Sequence, residues 1–267
     1  MDKISIITSR DNPRLARIRK VRDGRETEEV FAEGIRLCEE VLRTGLRVFE
    51  CAVTPEARDS ERVRAILNAI LERGGRVNEV PEVLLKSIAD TAHPQGLIVT
   101  AERPRTGADR MRSIDSSPIL IFLEKISDPS NLGAIFRTAE AAGVSGVILS
   151  PGSADPFSPK ALRSSLGSSL RVPVWDKAEL KEFVEWASQE GIRILGADIT
   201  GKVSYLQVDL TDATAFVMGS EAHGLTDEHL DLMSEVITIP MQNGVESLNL
   251  AVSTGILLYE AVRQRMN

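Results

Sequence analysis

The sequence contains only two cysteines, Cys38 and Cys51, among 267 residues. Two thiols build neither a disulfide framework nor a four-thiolate zinc site, so the chain reads as a cytoplasmic protein with reduced thiols. Long apolar runs are also missing. The longest membrane-like stretch, Pro118 to Leu123, falls far short of the roughly 20 residues that a spanning helix needs. The opening MDKISIITSR carries an acid at Asp2 and no long apolar segment ahead of its first arginine, which argues against a secretory leader. His93, His223 and His229 lack metal-ligand grouping, and no metal requirement is expected. No G-x-G-x-x-G follows the first strand of the second half, which counts against a dinucleotide dehydrogenase. Gly219 and Gly224 have the spacing of a phosphate loop, but Leu225 stands where G-x-x-x-x-G-K-[ST] needs its lysine, so no Walker-type ATP site is supported. No repeat of fixed period appears. What is present is ordinary globular composition, 42% apolar and 27% charged. It excludes disorder, coiled coil and collagen, and the length allows one large domain or two smaller ones.

The net charge of -7 hides an asymmetry. Residues 1–110 carry 20 Lys and Arg against 19 Asp and Glu, whereas residues 111–267 carry 12 against 20. Between Arg10 and Arg25 seven basic groups face two acids, a local +5. Screening confines each charge to roughly 10 Å, so this stretch can meet phosphates although the whole chain is acidic. The simpler reading is a solvated helix face. Arginine outnumbers lysine 24 to 8, which suits phosphate recognition and equally suits a compositional bias.

Hydrophobic periodicity divides the chain into two alternating halves. In the first, Asn12-Pro13 opens a basic helix to about Arg22. Strands follow at residues 30–32, 48–53, 76–80 and 96–101, with helices at 35–43, 59–72 and 81–88. These elements make a small α/β domain over residues 1–104. The stretch RPRTGADRMRSIDSSP, with Pro, Gly and Ser at its ends, reads as a linker over 105–117. The second domain, 118–267, opens on the continuous apolar run Ile119–Leu123, as expected for a strand covered on both faces. Further strands are expected at 147–149, 172–175, 192–197, 213–218 and 236–239, with helices at 131–142, 160–165, 179–189 and 248–265. Repeated strand-helix units imply a parallel, doubly wound sheet whose ligands sit at the carboxyl ends of strands, in the loops after Leu123, Met218 and Ile239.

Those three loops are unusual. In EKISDPSNLGAIFRTAEAAGV, Asp128-Pro129 turns the chain, Ser130 or Asn131 is expected to cap a helix, and Arg137 projects from its second turn. Arg137 either serves a ligand or merely pairs with Glu140 at i+3. In GSEAHGLTDE, a glycine directly after a buried strand suits backbone contact with a ligand, with Glu221 aimed at it; an ordinary strand-to-helix turn is the alternative. In PMQNGVESLNLAVSTGILLYEAVRQR, Pro240 stops the strand, Asn243-Gly244 turns, and Ser247 or Glu246 starts the last helix. Ser247 and Asn249 then stand at its first turn, where free N–H groups and short polar side chains hold ligands. That helix is apolar over more than one packing face, which suggests burial against a second subunit as well as the core.

Together DPSNLGAIFRTAEAAG, FVMGSEAHGL and IPMQNGVESLNLAVSTGILLYE resemble, in order and spacing, motifs 1, 2 and 3 of the SpoU/TrmH branch of the SPOUT RNA methyltransferases. The resemblance covers about residues 118–267. SRDNPRLARIRKV and FAEGIRLCEEVL resemble the ribosomal-protein-like α/β substrate-binding domain that many members carry. Ala222 departs from the glycine more usual in the second motif. The resemblance implies transfer of a methyl group from S-adenosylmethionine to a ribose 2′-hydroxyl, of ribosomal RNA first and transfer RNA second. It implies a catalytic domain with a parallel sheet and a deep trefoil knot in which the cofactor sits bent. Carried over, Gly219, Ile239 and Leu248, with Met241 and Leu250 nearby, hold the cofactor. Asn131, Arg137, Glu221, Ser247 and Asn249 form the polar catalytic set. A guanidinium with a pKa above about 12 is a poor base, so Arg137 is read as a clamp on the phosphate beside the target ribose. The family usually draws this arginine from the partner subunit, which implies an obligatory homodimer. RNA, not DNA or a membrane, is the expected partner, gripped by Arg10, Arg14, Arg17, Arg19 and Lys20. The rival from another class is an RNA-binding protein with an inactive methyltransferase domain, which would not bind S-adenosylmethionine.

Overall fold

The computed structural model describes residues 4–111, 117–221 and 223–266. The chain forms two compact units, Met1–Pro104 with Pro156–Leu170, and Arg105–Asp155 with Arg171–Asn267.

The first unit runs β1 (Ile4–Ile6), α1 (Pro13–Arg22), β2 (Glu29–Glu33), α2 (Ile35–Arg43), β3 (Val48–Val53), α3 (Pro55–Arg58), α4 (Glu61–Glu72), β4 (Arg76–Glu79), α5 (Glu82–Ile88) and β5 (Leu97–Glu102). Its sheet has the order β1-β4-β3-β5-β2, with β1, β4 and β3 parallel and β5 antiparallel to both β3 and β2. Helix α1 starts where the sequence places it. Pro13 is preset for the first turn, and Asn12 Oδ1 accepts the Arg14 N–H at 2.9 Å. Leu15, Ile18 and Val21 share one face of the helix and are buried with Phe31, Leu85, Ile88 and Ile98. Cys38 and Cys51 are free and fully buried; desolvation pushes both thiols far up, which makes them inert as nucleophiles. The sequence pattern does not disclose β1 or α3. The first is a three-residue edge strand, too short for a period, and the second is one turn capped by Thr54, whose Oγ1 accepts the Ala57 N–H at 3.2 Å.

The remaining elements are β6 (Ile119–Leu123), α6 (Pro129–Ala141), β7 (Gly146–Leu149), α7 (Pro159–Ser165), β8 (Val174–Asp176), α8 (Leu180–Gln189), β9 (Arg193–Ala197), β10 (Val203–Ser204), β11 (Thr214–Met218), α9 (Asp227–Leu230), β12 (Glu235–Thr238) and α10 (Leu250–Arg265). Helix α7 falls in the first unit, although the sequence assigns residues 118–267 to a single domain. Its reasons are tertiary: Arg163 pairs with Asp90, Arg103 lies 4.7 Å over the Phe157 ring, and Gly167 packs on Glu40. In the expected linker, residues 112–116 lie outside the described residues, and Ala108–Met111 form a 3-10 turn that buries Met111.

The second unit's sheet has the order β10-β12-β9-β11-β6-β7-β8, and every neighbouring pair is parallel. Strand β6 is buried along its whole length. Leu120 and Phe122 face one side, in a core with Trp175, Phe183, Ala215 and Val217. Aromatics make up only 4% of the sequence, yet four of them meet here: Phe183 stacks on Phe122 at 5.3 Å, and Trp175 meets Trp186 edge-on at 5.7 Å. Helices α6 and α10 pack against each other.

The C-terminal end of α10 is pinned by hydrogen bonds. Arg265 donates to the carbonyls of Leu210 (2.8 Å), Ser117 (2.5 Å) and Asp212 (2.5 Å), and Gln264 donates to Val208 C=O at 3.0 Å. Buried Glu260 accepts from Arg263 Nε (2.8 Å) and Nη2 (2.7 Å) and from Gln264 Nε2 (2.8 Å). These bonds, Arg263's foremost, hold its carboxyl down to about 2. A carboxyl lowered on folding contributes stability that is complete above its unfolded value of about 4.3 and is lost as pH falls towards the folded value. Thermal unfolding of Glu260→Gln is therefore expected to start from a lower Tm at neutral pH. It should also fall less steeply than wild type below about pH 4; identical acid limbs would contradict this.

Candidate active site

Parallel pairing sets Leu123 beside Met218, Met218 beside Ala197, and Ala197 beside Ile237. The loops after β6, β11, β9 and β12 consequently leave one edge of the sheet at one level. Beyond that edge is a cavity of about 550 Å³, within the roughly 300–1,000 Å³ of small-molecule sites. All five residues expected to hold a cofactor line it: Gly219, Ile239, Met241, Leu248 and Leu250. So do Glu221, Ser247 and Asn249 of the polar set.

Local chemistry shapes each wall. After β11 the chain folds back on itself: Ser220 N–H donates to Gly224 C=O at 3.1 Å, and Gly224 N–H returns to Ser220 C=O at 2.9 Å. A Cβ on Gly219 would lie 2.3 Å from the Gly224 carbonyl carbon and 2.6 Å from Leu225 N, so only glycine allows this fold-back. Ala222 lies outside the described residues. The turn expected at Asn243-Gly244 is present, with both residues left-handed (φ 56° and 72°) and Val245 N–H donating to Gln242 C=O at 3.2 Å. That is the only backbone bond donated within 239–248 among the described residues, so a run of main-chain donors and acceptors borders the cavity.

Two helix starts differ from the sequence reading, and the difference matters. Helix α6 is capped by Asp128, whose Oδ1 accepts Ser130 N–H at 3.0 Å, with Pro129 at the first helical position. Asn131 is thereby released from capping. Helix α10 is capped by Asn249, not Ser247 or Glu246: its Oδ1 accepts the N–H groups of Ala251 (2.9 Å) and Val252 (3.3 Å). This fixes the amide orientation of Asn249. Its Nδ2 donates to Asn131 Oδ1 at 3.1 Å, Asn131 Nδ2 donates to Glu221 Oε1, and Ser127 Oγ donates to Glu221 Oε2 at 3.3 Å. A one-way chain of donors thus runs from the α10 cap into the Glu221 carboxylate.

Arg137 is exposed, does not line the cavity and makes no hydrogen bond or ion pair among the described residues. Glu140, its alternative partner, binds Arg171 through both oxygens, the longer bond at 2.8 Å. Of the five cations on and before α1, Arg14 is bonded to Asn78 Oδ1 at 2.6 Å and Arg17 to buried Glu29 at 2.9 Å. Arg19 donates to the Arg10 carbonyl at 2.5 Å, while the Arg10 and Lys20 side chains stand exposed.

Sequence reasoning missed Ser127 and Asp198. Ser127 lies in a loop read only from Asp128 onward. Asp198 follows β9, whose end joins the same row because β9 pairs with both β11 and β12, a neighbourhood that no local pattern announces. Among the described residues no group of three His, Cys, Asp or Glu is spaced to hold a metal, and no helix is long and apolar enough to cross a membrane.

Known proteins are similar to this chain in sequence and in fold. The SpoU rRNA Methylase family model matches residues 118–259, and the RNA 2′-O ribose methyltransferase substrate binding model matches residues 31–107. An uncharacterised tRNA/rRNA methyltransferase of Synechocystis sp. is 32% identical over 266 residues, covering 98% of this chain and 95% of that protein. The 23S rRNA (guanosine-2′-O-)-methyltransferase RlmB of Escherichia coli K12 is 32% identical over 240 residues, covering 87% of this chain and 97% of RlmB. The crystal structure of an AdoMet-bound rRNA methyltransferase from Sinorhizobium meliloti matches with a TM-score of 0.87 at 30% identity over 98% of each chain. In sequence and in fold, the chain belongs to the SpoU rRNA Methylase family.

Proposed function

We propose that the chain is a cytoplasmic homodimeric enzyme that transfers the methyl group of S-adenosylmethionine to a ribose 2′-hydroxyl of ribosomal RNA. The observation that carries this reading is the cavity at the in-register strand ends with the Asn249–Asn131–Glu221 chain on its rim. The cavity fits the cofactor in size and chemistry. Ile239, Met241, Leu248 and Leu250 offer apolar walls for an adenine, the 239–248 backbone offers groups to read its edge, and carboxylates at Asp198, Glu221 and Glu246 suit a cationic ligand. When bound, S-adenosylmethionine supplies an electrophilic methyl carbon on a sulfonium.

The chain's own residues then have to place a hydroxyl in line with that carbon and stabilise the charge that develops on its oxygen. Asn131 and Glu221, held by Ser127 and Asn249, are the positioned groups at the rim, with Ser247 beside them. Arg137 completes the set as a phosphate clamp from the partner subunit. Dimerisation through α10 is supported by Val252 and Tyr259, seven residues apart on the helix and 51% and 52% exposed, with Met266 just past its end 80% exposed. A deep trefoil knot belongs to the same reading; β11 lies between β6 and β9 although it follows β9 in the chain, in keeping with a crossed path. In calorimetric titration, one equivalent of S-adenosylmethionine is expected to bind per chain. RNA binding without cofactor binding would instead favour an inactive RNA-binding protein.

A further inference from the structure

Strand β3 is irregular where it passes β5. Val48 pairs with Ala101 and Glu50 with Thr100, so Phe49 is the extra residue of a bulge. A bulge bends its strand and re-aims a side chain. The side chain re-aimed here is an aromatic ring left partly open to solvent. Two guanidiniums lie over it, with Arg17 Cζ at 5.6 Å and Arg47 Cζ at 5.2 Å from the centroid. Arg17 is fixed by buried Glu29, which accepts from its Nε at 2.9 Å, yet Arg17 remains 47% exposed. Arg47 is exposed, and its side chain makes no hydrogen bond or ion pair among the described residues. Exposed Lys20 follows Arg17 by one helical turn. Glu29 already neutralises Arg17, so Arg47 is the cation at the ring with no anionic partner among the described residues.

Planar groups with unspent cationic donors are the chemistry that takes an unpaired nucleotide: the base stacks on a π-face, and a phosphate accepts from the guanidinium fork. We infer that Phe49, Arg47 and Arg17 form a stacking platform for an unpaired nucleotide of the RNA substrate. The inference rests on the reading of the chain as an RNA methyltransferase. Arg47, which no hydrogen bond holds among the described residues, swings off the ring to take the phosphate and yields that face of Phe49 to the base, while Arg17, braced by Glu29, stays against the ring.

Fluorescence anisotropy tests this with two probes, a ribosomal RNA hairpin bearing an unpaired loop and the same stem closed into a full duplex. Phe49→Leu and Arg47→Gln should each weaken hairpin binding about tenfold and duplex binding far less. Arg47→Gln should also lower the salt slope by about one ion, and Phe49→Leu should leave the slope unchanged. As a check that needs no loss of affinity, Phe49→Trp should show emission that the hairpin quenches and the duplex does not. Wild-type affinity in both variants, equal losses on the two probes, or an unquenched Phe49→Trp signal would overturn the platform. If the wild-type protein methylates RNA while these variants behave as wild type, only the platform fails. If wild type neither binds nor methylates RNA, the functional reading fails with it.

Discussion

Arg137→Ala is expected to lower methyl transfer by about 100- to 1,000-fold, the usual cost of removing one group that stabilises transition-state charge, while S-adenosylmethionine binds as it does to the parent. Arg137 shares α6 with Asn131 but stands six residues further on, about 9 Å along the axis and on another side of the helix. It is exposed, unpaired among the described residues and absent from the cavity wall of its own chain. Arg137 therefore has a free guanidinium to offer, and the proposed reading places it on the phosphate beside the target ribose. In the proposed homodimer, mixed dimers separate the two geometries. Combined with Asn131→Ala, the Arg137→Ala chain should regain activity that neither parent has, because one site then holds an intact Asn131 and receives an intact Arg137 from across the interface. No recovery in the mixed dimer would place Arg137 in cis.

The second large effect is expected at Asn249. As the cap of α10, its loss in Asn249→Ala should cost about 1 kcal/mol of stability. Asn249→Asp is more telling, since aspartate caps a helix as well as asparagine does. A carboxylate at 249 cannot donate to Asn131 Oδ1. Asn131 must then turn its Nδ2 towards residue 249 and present a carbonyl oxygen to the Glu221 carboxylate, acceptor against acceptor. The Asp variant should retain the parent's Tm and lose kcat by about a hundredfold, with cofactor binding no weaker than the parent's, since the added carboxylate lines a cavity for a cationic ligand. Full activity in Asn249→Asp would show that the direction of the donor chain does not matter.

The first two loops and the parallel sheet were legible because the strands feeding those loops are short, buried, largely apolar runs, while β12 (EVIT) is only partly buried and its loop was placed by Pro240. Ile119–Leu123 and Thr214–Met218 are buried end to end, and their register brings the loops to one level. The cavity-lining residues follow from that geometry. What the sequence reading misjudged were caps and tertiary partners. It offered Ser130 or Asn131 for α6 and Ser247 or Glu246 for α10, where Asp128 and Asn249 do the capping. A shift of two or three residues decides which asparagine is spent on a helix end and which is left for chemistry. The basic stretch at α1 reads as a uniform +5, but Glu29 and Asn78, 12 and 64 residues away from the arginines they bind, occupy Arg17 and Arg14. No local pattern reveals such pairs. Nor does periodicity reveal that α7 belongs to the first unit, because its apolar face is the same whichever core receives it.

The reading of the chain as a ribose methyltransferase is tested most directly by locating the methyl group. Purified protein incubated with methyl-labelled S-adenosylmethionine and ribosomal RNA should place the label in an alkali-resistant dinucleotide, the mark of a 2′-O-methylated ribose, and Arg137→Ala should not. Label released with a free base, or no label at all, would contradict it.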